Sequence, residues 1–136
     1  MPQPTALIVT ILLTMLVGMG AISTDIYLPS LPSITEDFSS NTATVQLTLS
    51  VFMIAFAVSQ LVYGPISDRF GRRPALIGGM AIYLVASFGC AMAGSIEILI
   101  IARFFQALGA CAGPSVARAV VRDIFGRDRS AKVLAY

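Results

Sequence analysis

Gly64-Pro65-Ile66-Ser67-Asp68-Arg69-Phe70-Gly71-Arg72-Arg73-Pro74 is the stretch whose reading decides the fold. It is a compact charged hinge between two long apolar runs. Gly64 and Gly71 stand where a backbone turns tightly and a Cβ would clash. Pro74 suits the first position of a new helix, where its missing N–H is not needed. Asp68, Arg69, Arg72 and Arg73 then mark where an apolar medium ends and water begins.

Composition says what that medium is. Of 136 residues, 57% are hydrophobic and only 12% charged, with a mean hydropathy of +0.85. Soluble domains carry about 25% charged residues, so the chain reads as an all-α integral membrane protein. The two cysteines, Cys90 and Cys111, lie inside apolar runs and read as free, buried thiols. There is no histidine, which removes His-based catalysis and His metal sites. No nucleophile–base pair, metal-ligand spacing or nucleotide motif appears. Neither an enzyme nor a nucleic-acid partner is expected.

About 20 apolar residues cross a ~30 Å hydrocarbon core. Working outward from the hinge, four such helices are expected, over about 6–28, 42–66, 74–93 and 96–121, with a fifth beginning near 131. The first ends or bends at Pro29 and Pro32, and the chain turns polar from Ser33 to Asn41. Asn41, Thr42 and Thr44 are candidate caps for the second helix. Ser95 and Glu97 suit the start of the fourth. A second charged loop is expected from Asp123 to Lys132. Gly109 and Gly113 form a small-residue face for tight helix packing.

The basic residues sort the loops. Arg69, Arg72 and Arg73 lie in the hinge, and Arg122, Arg127, Arg129 and Lys132 follow the fourth helix. The segments 25–41 and 94–95 carry no lysine or arginine. The positive-inside rule then places the hinge, the C-terminal loop and the N-terminus in the cytoplasm.

Two charges remain at membrane depth. A charged residue at a helix centre costs roughly 2.5–3.5 kcal/mol on insertion scales, so such residues face the bundle interior and often a partner. Asp25 and Arg103 reach a similar level and are expected to approach one another. Desolvation raises a carboxylate's pKa and a nearby arginine lowers it. That balance suits Asp25 to take up and release a proton, with Arg103 tuning it. Gln46, Ser50 and Gln60 form a polar stripe on the second helix, facing other helices or a cavity.

These residues resemble the major facilitator superfamily. The stretch 64–73 is similar to its signature loop between helices two and three. Arg103, Gln106, Gly109 and Gly113 match the fourth-helix motif of proton-linked members. Asp25-Ile26-Tyr27-Leu28-Pro29-Ser30-Leu31-Pro32 resembles the first-helix motif of drug:proton antiporters, in the form of the Bcr/CflA branch linked to bicyclomycin and chloramphenicol resistance. The resemblance covers almost the whole chain.

The resemblance implies a charge network of Asp68, Arg72 and Asp123, with Gly64, Arg69, Gly71 and Arg73 in the same motif, that latches one conformational state. It implies Arg103 as the proton-relay arginine and Asp25 as its acid. Tyr27, Gln46, Ser50 and Gln106 become substrate-cavity candidates. It also implies an inner-membrane multidrug exporter for small, largely apolar compounds, driven by the proton gradient and using no cofactor. Such members have about twelve helices in two halves. Residues 1–136 are therefore expected to be a partial N-terminal transmembrane domain whose partner half lies elsewhere in the transporter. A proton-coupled importer of the same superfamily and a small four-helix membrane protein with a structural role are the alternatives.

Overall fold

A computed structural model describes residues 4–134 of the chain, with side chains described for 7–124. Helix α1 runs Pro4–Tyr27, followed by a 3-10 turn Leu28–Ser30 and helix α2 Leu31–Asp37. Then come α3 Thr42–Phe70, α4 Arg72–Ala91, α5 Ile96–Ala110 and α6 Ala112–Leu134. Four segments are long and apolar enough to cross a membrane: Leu7–Asp37, Thr42–Phe70, Arg72–Ala91 and Ile96–Ile124. These are the four expected spans, and the protein is a multi-pass membrane protein.

The boundaries differ from the expected ones for identifiable reasons. Pro29 and Pro32 do not release the chain. Each falls in the first turn of the next helical piece, where no intrahelical N–H bond is required. The segment 33–37, expected as a polar turn, is therefore helical. Pro65 and Gly64 likewise sit inside α3, which continues to Phe70. Only Gly71 breaks the helix, at φ +98, a conformation that favours glycine. Pro74 thus occupies the third residue of α4 and not its first.

The fourth span is interrupted instead at Cys111, three residues before Pro114. Proline cannot donate to the carbonyl of Ala110, and the chain restarts as α6. That helix runs on to Leu134. The charged segment Asp123–Lys132 is helical and not a loop, and residue 131 opens no new element. Between Ser115 and Leu134 no proline and only one glycine, Gly126, interrupts the chain, and a single glycine costs a helix only about 1 kcal/mol. The expected caps do form: the Asn41 side chain accepts from Ala43 N at 3.1 Å, and Ser95 Oγ accepts from Ile98 N at 3.4 Å.

The fourth span is the hub. Its most apolar window is 56% buried against 6% for the first span. Phe52 and Ala55 of α3 meet Ala107 and Ala110 of α5 in the core, with Phe56 and Tyr83 against them. Large apolar side chains such as Leu61, Val85 and Met92 point outward. That is the arrangement expected where lipid, not water, surrounds the bundle.

Glycines bring the backbones together, though not on one face. A Cβ on Gly109 would meet the backbone of α4 at Gly79 O and Tyr83 Cα, 2.6 and 2.7 Å away. A Cβ on Gly113 would meet Leu16 O of α1 at 2.5 Å. The two residues expected as a single packing face therefore serve two different helices.

Candidate functional site

Arg103 lies seven residues into α5, about 10 Å along the helix at 1.5 Å per residue. Its side chain is only 3% exposed. Three contacts position it. The guanidinium carbon lies 3.8 Å from the Tyr27 ring centroid and 4.4 Å from that of Phe52. Nη1 donates to Gln106 Oε1 at 2.7 Å. Gln106 in turn donates to Ser87 Oγ at 3.0 Å, and the Cys90 thiol points at the same Oε1 at 3.8 Å. Arg103 and Gln106 are three apart and so share a helix face.

Tyr27 is itself held. Its hydroxyl is hydrogen-bonded to Thr48 Oγ1. Thr48 Oγ1 donates to Val45 O at 2.6 Å; its one proton is thereby used, so the tyrosine is the donor. A second bond, between Ser23 Oγ and Tyr83 Oη at 2.6 Å, ties α1 to α4.

Asp25 does not join this cluster. It is exposed, and among the described residues no ion pair links it to Arg103. The expected approach of the two fails on helix geometry. Residues two apart do not share a face, and Tyr27 occupies the face that meets Arg103. Asp25 instead lines a cavity of about 300 Å³ between α1 and α3, with Gly20, Ala21, Thr24, Phe52, Met53 and Phe56. Phe52 is common to both places: one ring borders the Asp25 cavity and covers Arg103. Of the other cavity candidates, Tyr27 and Gln106 reach Arg103, whereas Gln46 and Ser50 lie exposed on α3.

At the α3–α4 junction the charges do assemble. Arg72 Nη1 lies 2.6 Å from Asp68 Oδ1, and Nε lies 3.1 Å from Asp123 Oδ2. Nη1 also donates to Ser67 Oγ at 2.6 Å, which itself donates to Gly64 O at 3.1 Å. One arginine thus joins three helices, α3, α4 and α6. Nearby, Arg118 Nη2 donates to Gln60 Oε1 at 3.1 Å. A small cavity of about 120 Å³ opens among Gln60, Asp68, Arg72, Arg118 and Arg122. Arg69 lies over the Phe70 ring at 5.6 Å, and Arg73 is exposed; neither pairs with Asp68 or Asp123.

Asp123 is 55% exposed and Arg72 27%, so water screens this tie. Asp123→Asn is expected to lower the stability of the bundle by only about 0.2–1 kcal/mol, read as a small drop in melting temperature. A larger loss would mean that the network, and not the α4–α5 packing, holds the fold.

Residues 8–136 match the sequence profile of the Major Facilitator Superfamily. The chain belongs to the major facilitator superfamily. It is 41% identical over 120 residues to an uncharacterised MFS-type transporter of Bacillus subtilis, YdgK, covering 88% of this chain and 30% of that protein. It is 41% identical over 113 residues to a chloramphenicol resistance protein of Pseudomonas aeruginosa, covering 82% and 27%. It is 35% identical over 119 residues to multidrug resistance protein D of Escherichia coli, covering 88% and 30%. The chain thus spans about 30% of the length of the curated relatives it matches. The family is one of transporters, not enzymes, and its members carry small molecules across a bilayer.

Proposed function

We propose that this chain is the N-terminal part of a proton-coupled multidrug exporter of the inner membrane, with small, largely apolar substrates of the chloramphenicol and bicyclomycin kind. The likeness to the chloramphenicol and multidrug resistance proteins supports the substrate class. The observation that carries the mechanism is the placement of Asp25. It borders the cavity between α1 and α3 that Phe52 and Phe56 wall. A carboxylate there can hold a proton or contact a substrate, and competition between the two is the simplest basis for exchange.

Arg103 acts on Asp25 in this reading through the intervening Phe52 and through α1, not by direct pairing. Asp68, Arg72 and Asp123 tie the end of α3 and the start of α4 to the middle of α6 and serve as one side of a latch against the other half of the transporter. The concentration of arginine in 69–73 and at 118 and 122 favours a cytoplasmic location for that end, and with it the N-terminus.

The test is drug uptake into inside-out vesicles carrying the full-length transporter, driven by an imposed pH gradient. Asp25→Asn is expected to abolish gradient-driven uptake while leaving membrane insertion unchanged. Undiminished uptake would remove Asp25 from the coupling mechanism. Uptake in the opposite direction by the native protein would favour an importer of the same superfamily.

A further inference from the structure

Gln106 ties Arg103 to the neighbouring helix, and the way its amide points is forced. A guanidinium only donates. Arg103 Nη1 lies 2.7 Å from Gln106 Oε1, so the amide turns its carbonyl to Arg103 and its NH2 group away. Nε2 then faces Ser87 Oγ of α4 at 3.0 Å, and the serine accepts. The Cys90 thiol, also of α4, reaches the same Oε1 at 3.8 Å. Gln106 is 8% exposed, so little water is at hand to replace a lost partner.

The helix backbones set that 3.0 Å approach. Gly79, Tyr83, Ser87 and Cys90 follow one another at spacings of four, four and three, which is one face of α4. Gln106 and Gly109, three apart, share a face of α5. The two helices run antiparallel and come closest at Gly109, where a Cβ would meet Tyr83 and lie 2.6 Å from Gly79 O. Ser87 stands one turn beyond Tyr83, and Gln106 about one turn before Gly109. The close approach at the glycine therefore carries the serine to the amide.

Removing the Ser87 hydroxyl leaves a buried NH2 group without its acceptor. That costs more than the bond itself contributes. The flexible glutamine side chain escapes the cost by swinging away, and its carbonyl leaves Arg103. Among the described residues that carbonyl is the only hydrogen-bond partner of the guanidinium.

We propose that Ser87 is a positioning residue of the transport site: by accepting from Gln106 Nε2 it fixes the amide that holds the Arg103 guanidinium between the Tyr27 and Phe52 rings. The inference rests on the reading of Arg103 as part of the transport mechanism. The contact itself can be read without transport, because Cys90 reports on Oε1.

The experiment uses the full-length transporter in lipid nanodiscs. The infrared S–H stretching band of Cys90 is isolated by subtracting the spectrum of Cys90→Ala. A thiol that donates a hydrogen bond absorbs at lower frequency than a free one. Gln106→Leu removes the acceptor and marks the released position. Ser87→Ala should move the band from its native position toward that of Gln106→Leu, and Ser87→Thr, which keeps the hydroxyl, should leave it in place. In vesicles, gradient-driven uptake per folded transporter should fall roughly three- to tenfold in Ser87→Ala, the loss of one hydrogen bond. It should recover in Ser87→Thr and fall at least as far in Gln106→Leu.

A native band already at the Gln106→Leu position, or one unmoved by Ser87→Ala, would overturn the hold on Gln106. A shifted band with native uptake would overturn the role in transport. So would loss of uptake in Ser87→Ala beside native uptake in Gln106→Leu, since Ser87 would then act by another route. Native uptake by Arg103→Met would instead discard the reading of Arg103 on which the inference rests, with the band still deciding the contact.

Discussion

Gly109→Ala is expected to destabilise the bundle by about 1–3 kcal/mol, although it adds one methyl group to a helix and would ordinarily favour it. The added Cβ has no side chain to push aside. It meets the α4 backbone itself, at Tyr83 and Gly79, so α4 and α5 must separate. That interface is the most extensive between helices among the described residues, and Phe52, Ala107 and Tyr83 pack beside it. Gly78→Ala is the matched control. A Cβ there meets nothing within 4 Å, and the change should stabilise α4 by up to about 1 kcal/mol. Unfolding by denaturing detergent in mixed micelles, followed by helical circular dichroism, separates the two. Equal midpoints for both variants would mean that the close approach of α4 and α5 does not govern stability.

Arg103→Met should abolish proton-driven drug uptake by the full-length transporter yet leave stability within about 1 kcal/mol of the native value. The two effects have different origins. Removing the charge relieves an insertion cost of roughly 2.5–3.5 kcal/mol. It also forfeits the contacts with Tyr27 and Phe52, each worth about 1–2 kcal/mol when desolvated, and the bond to Gln106. These nearly cancel, and methionine adapts to the space left between the rings. Parallel uptake and unfolding measurements would decide it. Uptake close to native would remove Arg103 from the mechanism. A loss of several kcal/mol in stability would make it a structural residue first.

What could be read in the sequence follows from how strongly each residue type signals. The four spans were legible because apolar runs of membrane length are rarely buried whole except in a bilayer. Asn41 and Ser95 were legible as caps because a short polar side chain before an apolar run has a mechanical role. The grouping of Asp68, Arg72 and Asp123 was legible through the charge network that the family resemblance implies, and Gln106 with Arg103 through the family's fourth-helix motif. Helix ends were not legible. Pro29 and Pro32 looked like breakers, yet both sit in the first turns of the next helical pieces.

The separation of Asp25 from Arg103 was missed because depth was considered and azimuth was not. Two charges at one level invite pairing, but Tyr27, two residues on, faces inward in place of Asp25. Phe52, Thr48, Ser87 and Cys90 carried no signal, since neutral residues scattered in an apolar run look alike until the helices are packed. Ser67 was hidden among stronger charges. The polar stripe of Gln46, Ser50 and Gln60 divides: Gln60 finds Arg118, while the first two remain on the open face of α3.

The central claim is that Asp25 exchanges a proton for substrate. The most direct measurement is proton release by the purified full-length transporter in weakly buffered detergent solution, followed with a pH-sensitive dye as chloramphenicol is added. The account predicts release of a proton from the native protein and none from Asp25→Asn. Release that persists undiminished in Asp25→Asn, or binding of the drug by the native protein with no release at any pH, would contradict it.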